Sequence, residues 1–408
     1  MSAGLFNYAY VVSNVGALEI VDITDPANPV HKGIIRNGAG GAQLNNPADI
    51  IVSGNYAYVV GWGSGALEIV DVTDPANPVH KGSIVIESDG KSLNGLNSVA
   101  LSRNHAFIVS VLSDSLEIVD VADPAHPVLR SRIHNRDFGA RLKNLNNIYI
   151  SGNYAYVTSA ASNALEIIDI TNPRMPDHKG VIRNGAGGAI LSTPNSVYVS
   201  GNYAYVTSKG ALEIIDISDP ANPVHKGSLT QGALLGELYN IHISGNYAYI
   251  ASKGNNALEI VDISDPVFPV HAGSITNGTG GALLSGPQGL SVSGSHAFVT
   301  SLGSNALEII DLGTIPATNV TVASPANITC TLDLTGKVAG LYNVVVTNPD
   351  GQMDVLAGGF EVTAPVVPVA TQTTAVPVKT SPSAGSSIIP GIAAGAAAMI
   401  CAGILFRK

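Results

Sequence analysis

The chain has 408 residues and a net charge of −10 at neutral pH. That length allows a large core with appendages, and the acidic balance excludes a general nucleic-acid footprint. Charged residues make up 12%, about half the usual share. The two cysteines, Cys330 and Cys401, lie in different segments and offer no disulfide framework.

From the N-terminus the chain repeats itself. The phrase Leu-Glu-Ile-Val/Ile-Asp begins at Leu18, Leu67, Leu116, Leu165, Leu212, Leu258 and Leu307, in steps of 49, 49, 49, 47, 46 and 49 residues. A second phrase of the Asn-Tyr-Ala-Tyr-Val type precedes each copy, from Asn7, Asn55, Asn104, Asn153, Asn202, Asn246 and Ser295. A period of this size marks stacked supersecondary units.

Residues 48–85 show what one unit folds into. "ADIIVSG", "YAYVVG", "ALEIVDV" and "VHKGSIV" are four short β-rich runs, and "DPANP" breaks the chain before the last. No helical period appears, so the unit is a four-stranded antiparallel meander. Meanders repeated at about 40–50 residues are propeller blades. We label the strands a to d from the axis outwards. Strands b and c carry the apolar load. Strand d is an edge, and charge such as His31 and Lys32 protects it from edge-to-edge pairing.

"LEIVDITDPANPV" together with "SGNYAYV" resembles the LVIVD repeat family over residues 7–312. The resemblance implies a β-propeller and a cell-surface setting of the kind found in archaea, methanogens included, and in bacteria. It implies no reaction. The expected fold is all-β: a seven-bladed propeller of four-stranded antiparallel blades over residues 1–312, its first and last blades incomplete.

Beyond it, residues 315–362 resemble the second half of an IPT/TIG domain, an immunoglobulin-like sandwich. Gly340-Leu341-Tyr342, Thr347 through Gly351 and Gly358-Gly359-Phe360 carry that likeness. Residues 363–387 are rich in Pro, Thr and Ser and read as an extended stalk. Residues 388–406 are 19 residues without a charge. As a helix they span about 28 Å, close to the hydrocarbon thickness of a bilayer. The expectation is a transmembrane helix with Arg407 and Lys408 in the cytoplasm and all else outside. Sequons at Asn277, Asn319 and Asn327 offer glycosylation on that outer side.

Chemistry is harder to find. The repeated Glu (Glu19, Glu68 and their copies) and the repeated His (His31, His80 and theirs) suit cross-strand pairs between strands c and d. Asp22 and Asp25, with their copies, suit Asx turns better than a calcium loop. "NGAGGA" from Asn37 and Asn184 lacks a phosphate-loop lysine and reads as a flexible d–a connection. No metal spacing, catalytic triad or cofactor motif is found. The strand a runs, among which only His242 is counted as titratable, are read as poor in acids and bases.

Deviations from the repeat point to ligand binding. Trp62, the single tryptophan, sits among glycines in a b–c connection, where it could stack on a sugar or peptide or pack as a loop residue. Arg130, Arg132, Arg136 and Arg141, with Lys143, concentrate positive charge on an acidic chain. They suit either edge protection or docking of anionic surface glycans or envelope proteins.

The expectation is a membrane-anchored surface protein whose propeller is a binding, adhesion or envelope-lattice module, and not an enzyme. The alternatives are a propeller lyase or hydrolase with its site in the central channel, or a soluble intracellular scaffold. Strands b and c occur seven times but a and d six. This leads to two further expectations: a signal peptide and a d–a segment lie upstream of Met1, or else residues 318–324 fold back as the seventh strand d.

Overall fold

The computed structural model describes residues 2–4, 7–88, 91–92, 94–312, 315–324, 327–332, 340–347, 353–362 and 403–407. The chain divides into two compact units, Met1–Ile310 and Asp311–Lys408.

The first unit is a seven-bladed propeller of antiparallel blades. Six sheets have four strands in sequence order and the seventh has three. Blade 2 is representative: strand a is Pro47–Ser53, b is Tyr56–Gly61, c is Ala66–Asp71 and d is Val79–Val85. Strands b and c are almost wholly buried because a neighbouring blade packs on each of their faces. Leu67 and Ile69 are fully enclosed, whereas Val79 on strand d is exposed.

Contact between blades is close enough to select glycine. A Cβ built on Gly82 would lie 2.5 Å from the carbonyl oxygen of Pro124, in the Asp-Pro loop of the next blade. Gly33, Gly180 and Gly227 repeat this contact at 2.3 Å. In blade 3 the position is Ser131, whose hydroxyl instead donates to the carbonyl of Pro173 at 2.6 Å.

The Asx reading of the Asp-Pro loop agrees with the geometry. Asp71 Oδ1 accepts from the Thr73 amide at 3.0 Å and Asp74 Oδ1 from the Ala76 amide at 3.0 Å. The glycine-rich d–a connection is an ordered turn rather than a flexible one. Gly38 donates to the Ala42 carbonyl, Ala42 donates to that of Ala39, and Asn37 Oδ1 accepts from the Leu44 amide. Gly38, Gly40 and Gly41 all take positive φ, which explains the glycines.

Blade 1 has four strands, the first of them short. Ser2–Gly4 supplies its strand a, with Ser2 opposite Tyr10 and Gly4 opposite Tyr8. Three residues suffice to pair half of strand b. Blade 7 has strands Pro287–Ser293, His296–Ser301 and Ala306–Asp311 and, among the described residues, no strand d. Residues 318–324 do not supply it. They belong to strand Ile315–Ser324 of the second unit, which pairs with Asn327–Leu332 and Gly403–Arg407.

In the second unit, Gly340–Thr347 pairs with both Met353–Val362 and Gly403–Arg407. The stalk, and residues 388–402 of the expected transmembrane helix, lie outside the described residues. Among those described, no helix is long and apolar enough to cross a membrane.

Candidate functional site at the channel mouth

Strands a surround the axis, and where they begin a cavity of about 310 Å³ opens. Its wall holds Asp49, Asn97, Asn146, Asn147, Asn195, Asn240 and Gln288, one or two polar side chains from each of blades 2 to 7. Trp62 and Tyr239 add aromatic surface. Val11 and Val12, on strand b of blade 1, are also part of the lining.

Half of this ring is stitched together. Asp49 accepts from the Ile50 amide at 2.9 Å, the Ser98 hydroxyl at 2.8 Å and the Val99 amide at 3.0 Å. Asn147 Nδ2 donates to Ser98 Oγ at 3.0 Å, and its Oδ1 accepts from the Val197 amide at 3.1 Å. Asp49, Ser98, Asn147 and Ser196 thus form a belt across four blades, one residue per repeat. The other half differs. Among the described residues, the side-chain amides of Asn195, Asn240 and Gln288 make no protein hydrogen bond. Amides ringing a cavity can donate to and accept from a ligand rich in hydroxyl and carbonyl groups.

Asp49 corrects the reading of strand a. "ADIIVSG" carries a carboxylate, and it is the one charged side chain of the lining. Two residues further along each strand lies an aromatic arc. Tyr149 and Tyr198 rings are 4.7 Å apart, and Tyr198 and His242 are 5.0 Å apart. Burial pushes His242 down to about 4, so it is neutral at pH 7. Burial, followed by the neighbouring Tyr198, pushes Tyr149 up. On the same strand as His242, Tyr239 accepts from Lys253 Nζ at its Oη at 3.2 Å, and the ammonium lies 4.8 Å from the ring centre.

Of the sequence-derived candidates, Trp62 reaches this cavity, half-buried, with its backbone held by Asn46 and Gly95. The arginines do not line it. Arg130 pairs with Asp120 at 2.8 Å and Arg132 with Glu117 at 3.0 Å. Arg136 and Arg141 sit exposed on the d–a turn that leads to blade 4, where Arg136 and Phe138 take the positive φ that glycines take elsewhere. Asn277 is exposed, and its Oδ1 accepts from the Leu284 amide as Asn37 does for Leu44. Nothing is described of the Asn319 and Asn327 side chains.

The repeated glutamates pair with the repeated histidines across strands c and d, as expected, and they also join neighbouring blades. Glu68, Glu166, Glu213 and Glu259 are fully buried. Each meets the Nδ1 of a histidine twelve residues on, at 2.6 Å for His80 and 2.5 Å for His225. The second oxygen accepts a backbone amide from the preceding d–a turn, as Glu68 does from Gln43 at 2.9 Å. Desolvation raises the pKa of Glu68, Glu166 and Glu213 despite these donors. Among the described residues no cluster suits a metal ion.

The family model described as the LVIVD repeat matches residues 6–36, 46–85, 96–134, 144–182, 194–231 and 236–277. No curated protein matches the sequence. Solved structures share the fold. A 6-phosphogluconolactonase candidate from Bacteroides uniformis aligns with a TM-score of 0.59 at 14% identity, over 75% of this chain and 92% of that one. The periplasmic gluconolactonase of Pseudomonas aeruginosa gives 0.58 at 14%, over 75% and 90%. A functionally unknown protein from Desulfotomaculum acetoxidans gives 0.58 at 14%, over 75% and 92%. At these identities the likeness concerns the fold. It corrects the expectation of a chain that is not an enzyme, because this fold is shared with a gluconolactonase.

Proposed function

The chain belongs to the LVIVD repeat family, and on that premise we propose that its channel mouth binds a polyhydroxylated small molecule and hydrolyses a lactone of that class. The observation that carries this reading is the set Asn195, Asn240 and Gln288, whose side chains have no hydrogen-bond partner among the described residues, in one cavity with Asp49 and Trp62. Amides recognise hydroxyl groups in either direction, and an indole stacks on the apolar face of a sugar ring. The substrate class is taken from the gluconolactonase and the 6-phosphogluconolactonase candidate that share the fold.

In this reading Asp49, fixed by three donors, takes a proton from a water molecule as it attacks the lactone carbonyl. The ring C–O bond breaks, the proton passes to the departing alkoxide, and a hydroxy acid leaves. The free amides donate to the oxyanion.

The full chain is to be incubated with aldono-1,5-lactones, with and without a 6-phosphate, and acid release titrated against the spontaneous rate. Saturable acceleration that falls about 100-fold in Asp49→Asn, the scale of a lost general base, supports the proposal. Absence of both acceleration and binding overturns it. Binding without turnover leaves the channel a recognition module instead.

The surface setting belongs to the same proposal, supported by the sequence of residues 388–406, charge-free ahead of Arg407 and Lys408, and opposed at its end by the strand that Gly403–Arg407 forms in the second unit. Fractionation of the native protein with membranes, and its release on deletion of residues 388–408, is the expected result.

A further inference from the structure

Blade 6 departs from the repeat on one side of the channel mouth. In register along strand a, blades 2 to 5 and 7 carry Ala48, Asn97, Asn146, Asn195 and Gln288, where blade 6 carries Tyr239. Directly after strand b, where blade 2 has Trp62, blade 6 has Lys253. The two residues meet: the Lys253 ammonium donates to Tyr239 Oη at 3.2 Å, and Tyr239 lines the cavity. The lysine stands on a fixed turn. Its amide donates to the Glu237 carbonyl at 3.1 Å, the Gly254 amide donates to the Gly236 carbonyl at 3.2 Å, and Asn255 Oδ1 accepts from the Gly236 amide at 2.6 Å. Among the described residues Lys253 makes no ion pair, and neither does Glu237, which is exposed on the adjoining turn. Blade 5 has a lysine at the same place, Lys209, exposed and also without an ion pair among the described residues.

Charge is thus divided across the mouth. Asp49 stands in blade 2 and the lysines in blades 5 and 6, as far from it as a ring of seven blades allows. The Lys253 ammonium has further hydrogens to give, and the Tyr239 hydroxyl, which accepts from it, keeps its own O–H to donate. With the amides of Asn195 and Asn240 they make a donor-rich, positively charged half. We infer that this half is an anion subsite: the lactone bound at the mouth carries a negative group on carbon 6, the end of its carbon chain away from the carbonyl, and Lys253 with Tyr239 selects it. A phosphate and a carboxylate share that chemistry. Without the lysines, an anionic substrate would meet only the like charge of Asp49. This inference rests on the lactonase reading and names the substrate class of that site.

The full chain is assayed by acid release with three hexono-1,5-lactones: neutral, 6-phosphorylated and 6-carboxylated. The kcat/KM of an anionic lactone is expected to exceed that of the neutral one about 30-fold, the scale of one charge-assisted hydrogen bond. Lys253→Gln should abolish this preference and Lys253→Arg should keep most of it. The anion that gains more separates phosphate from carboxylate. Binding is read separately, by calorimetric titration of gluconate, its 6-phosphate and glucarate into the wild type and Lys253→Gln. Tighter binding of either 6-anion by the wild type alone, with no lactone hydrolysed, would support the subsite and overturn the lactonase reading. Equal kcat/KM for neutral and anionic lactones, or a preference that survives in Lys253→Gln, would overturn the subsite and leave the lactonase standing. Neither hydrolysis nor Lys253-dependent binding would overturn both.

Discussion

Arg132 takes the place of a missing histidine beside Glu117. In blade 3 the position twelve residues after the glutamate is Leu129, and the guanidinium of Arg132 reaches the buried carboxylate instead, Nε lying 3.0 Å from Oε2. A basic residue singled out as surface charge is thus the counter-charge of a buried acid. Burial raises Glu117, and the Ser115 hydroxyl and Arg132 oppose that rise.

Removing Arg132 should therefore cost far more than removing an exposed arginine. Arg132→Ala leaves a buried carboxylate unpaired and should lower unfolding free energy by about 3 kcal/mol. Arg136→Ala, on an exposed turn, should change it by less than about 0.5 kcal/mol. Adding Leu129→His to Arg132→Ala should restore most of the loss, since it rebuilds the joint used in five other blades. Urea denaturation of the four proteins checks this.

Gly82→Ala and Gly273→Ala form a paired test of blade contact. At Gly82 the new methyl would meet a backbone oxygen at 2.5 Å and at Gly273 nothing within 4 Å. The first should destabilise by about 1–3 kcal/mol and the second by much less. Equal losses would mean that the contact to the next blade is not what selects glycine.

Stability should depend on pH in two opposed ways. Desolvation raises Glu68, Glu166 and Glu213 above their ordinary 4.5. Their contribution is full below that value and is lost as pH rises through the raised pKa. Hydrogen bonds from Thr73 and Ser218 lower Asp71 and Asp216 below their ordinary 3.8. Their contribution is present above 3.8 and is lost as pH falls through the lowered pKa. Stability should peak between the two limbs and decline on the alkaline side. Glu213→Gln should flatten that decline, as read from urea midpoints between pH 3 and 7. An unchanged slope in the variant contradicts the assignment.

The blades were legible because one period carries every signal at once: apolar runs at strands b and c, proline at the loop, glycine at the turn. The Asx turns followed from Asp22 and Asp25 for the same reason. The channel site was harder to see because its residues differ from repeat to repeat while the strand around them stays the same. Aligning the copies would have placed Asp49, Ser98, Asn147 and Ser196 in one column and exposed the belt. The column two positions on holds Tyr149, Tyr198 and His242, of which only His242 drew notice. The joints stayed hidden for a different cause. Glu68 meets a turn from the preceding blade, a contact made by ring packing that strand alternation does not encode.

Trp62 is the chain's single tryptophan, so its emission reports the channel mouth alone. The most direct test is a fluorescence titration of the full chain with aldonolactones and their open acids. The proposal predicts a saturable change in Trp62 emission that is lost in Asn240→Leu. Emission that stays constant over the concentrations at which the lactone is hydrolysed, or a titration that Asn240→Leu leaves unaltered, would contradict a site at this mouth.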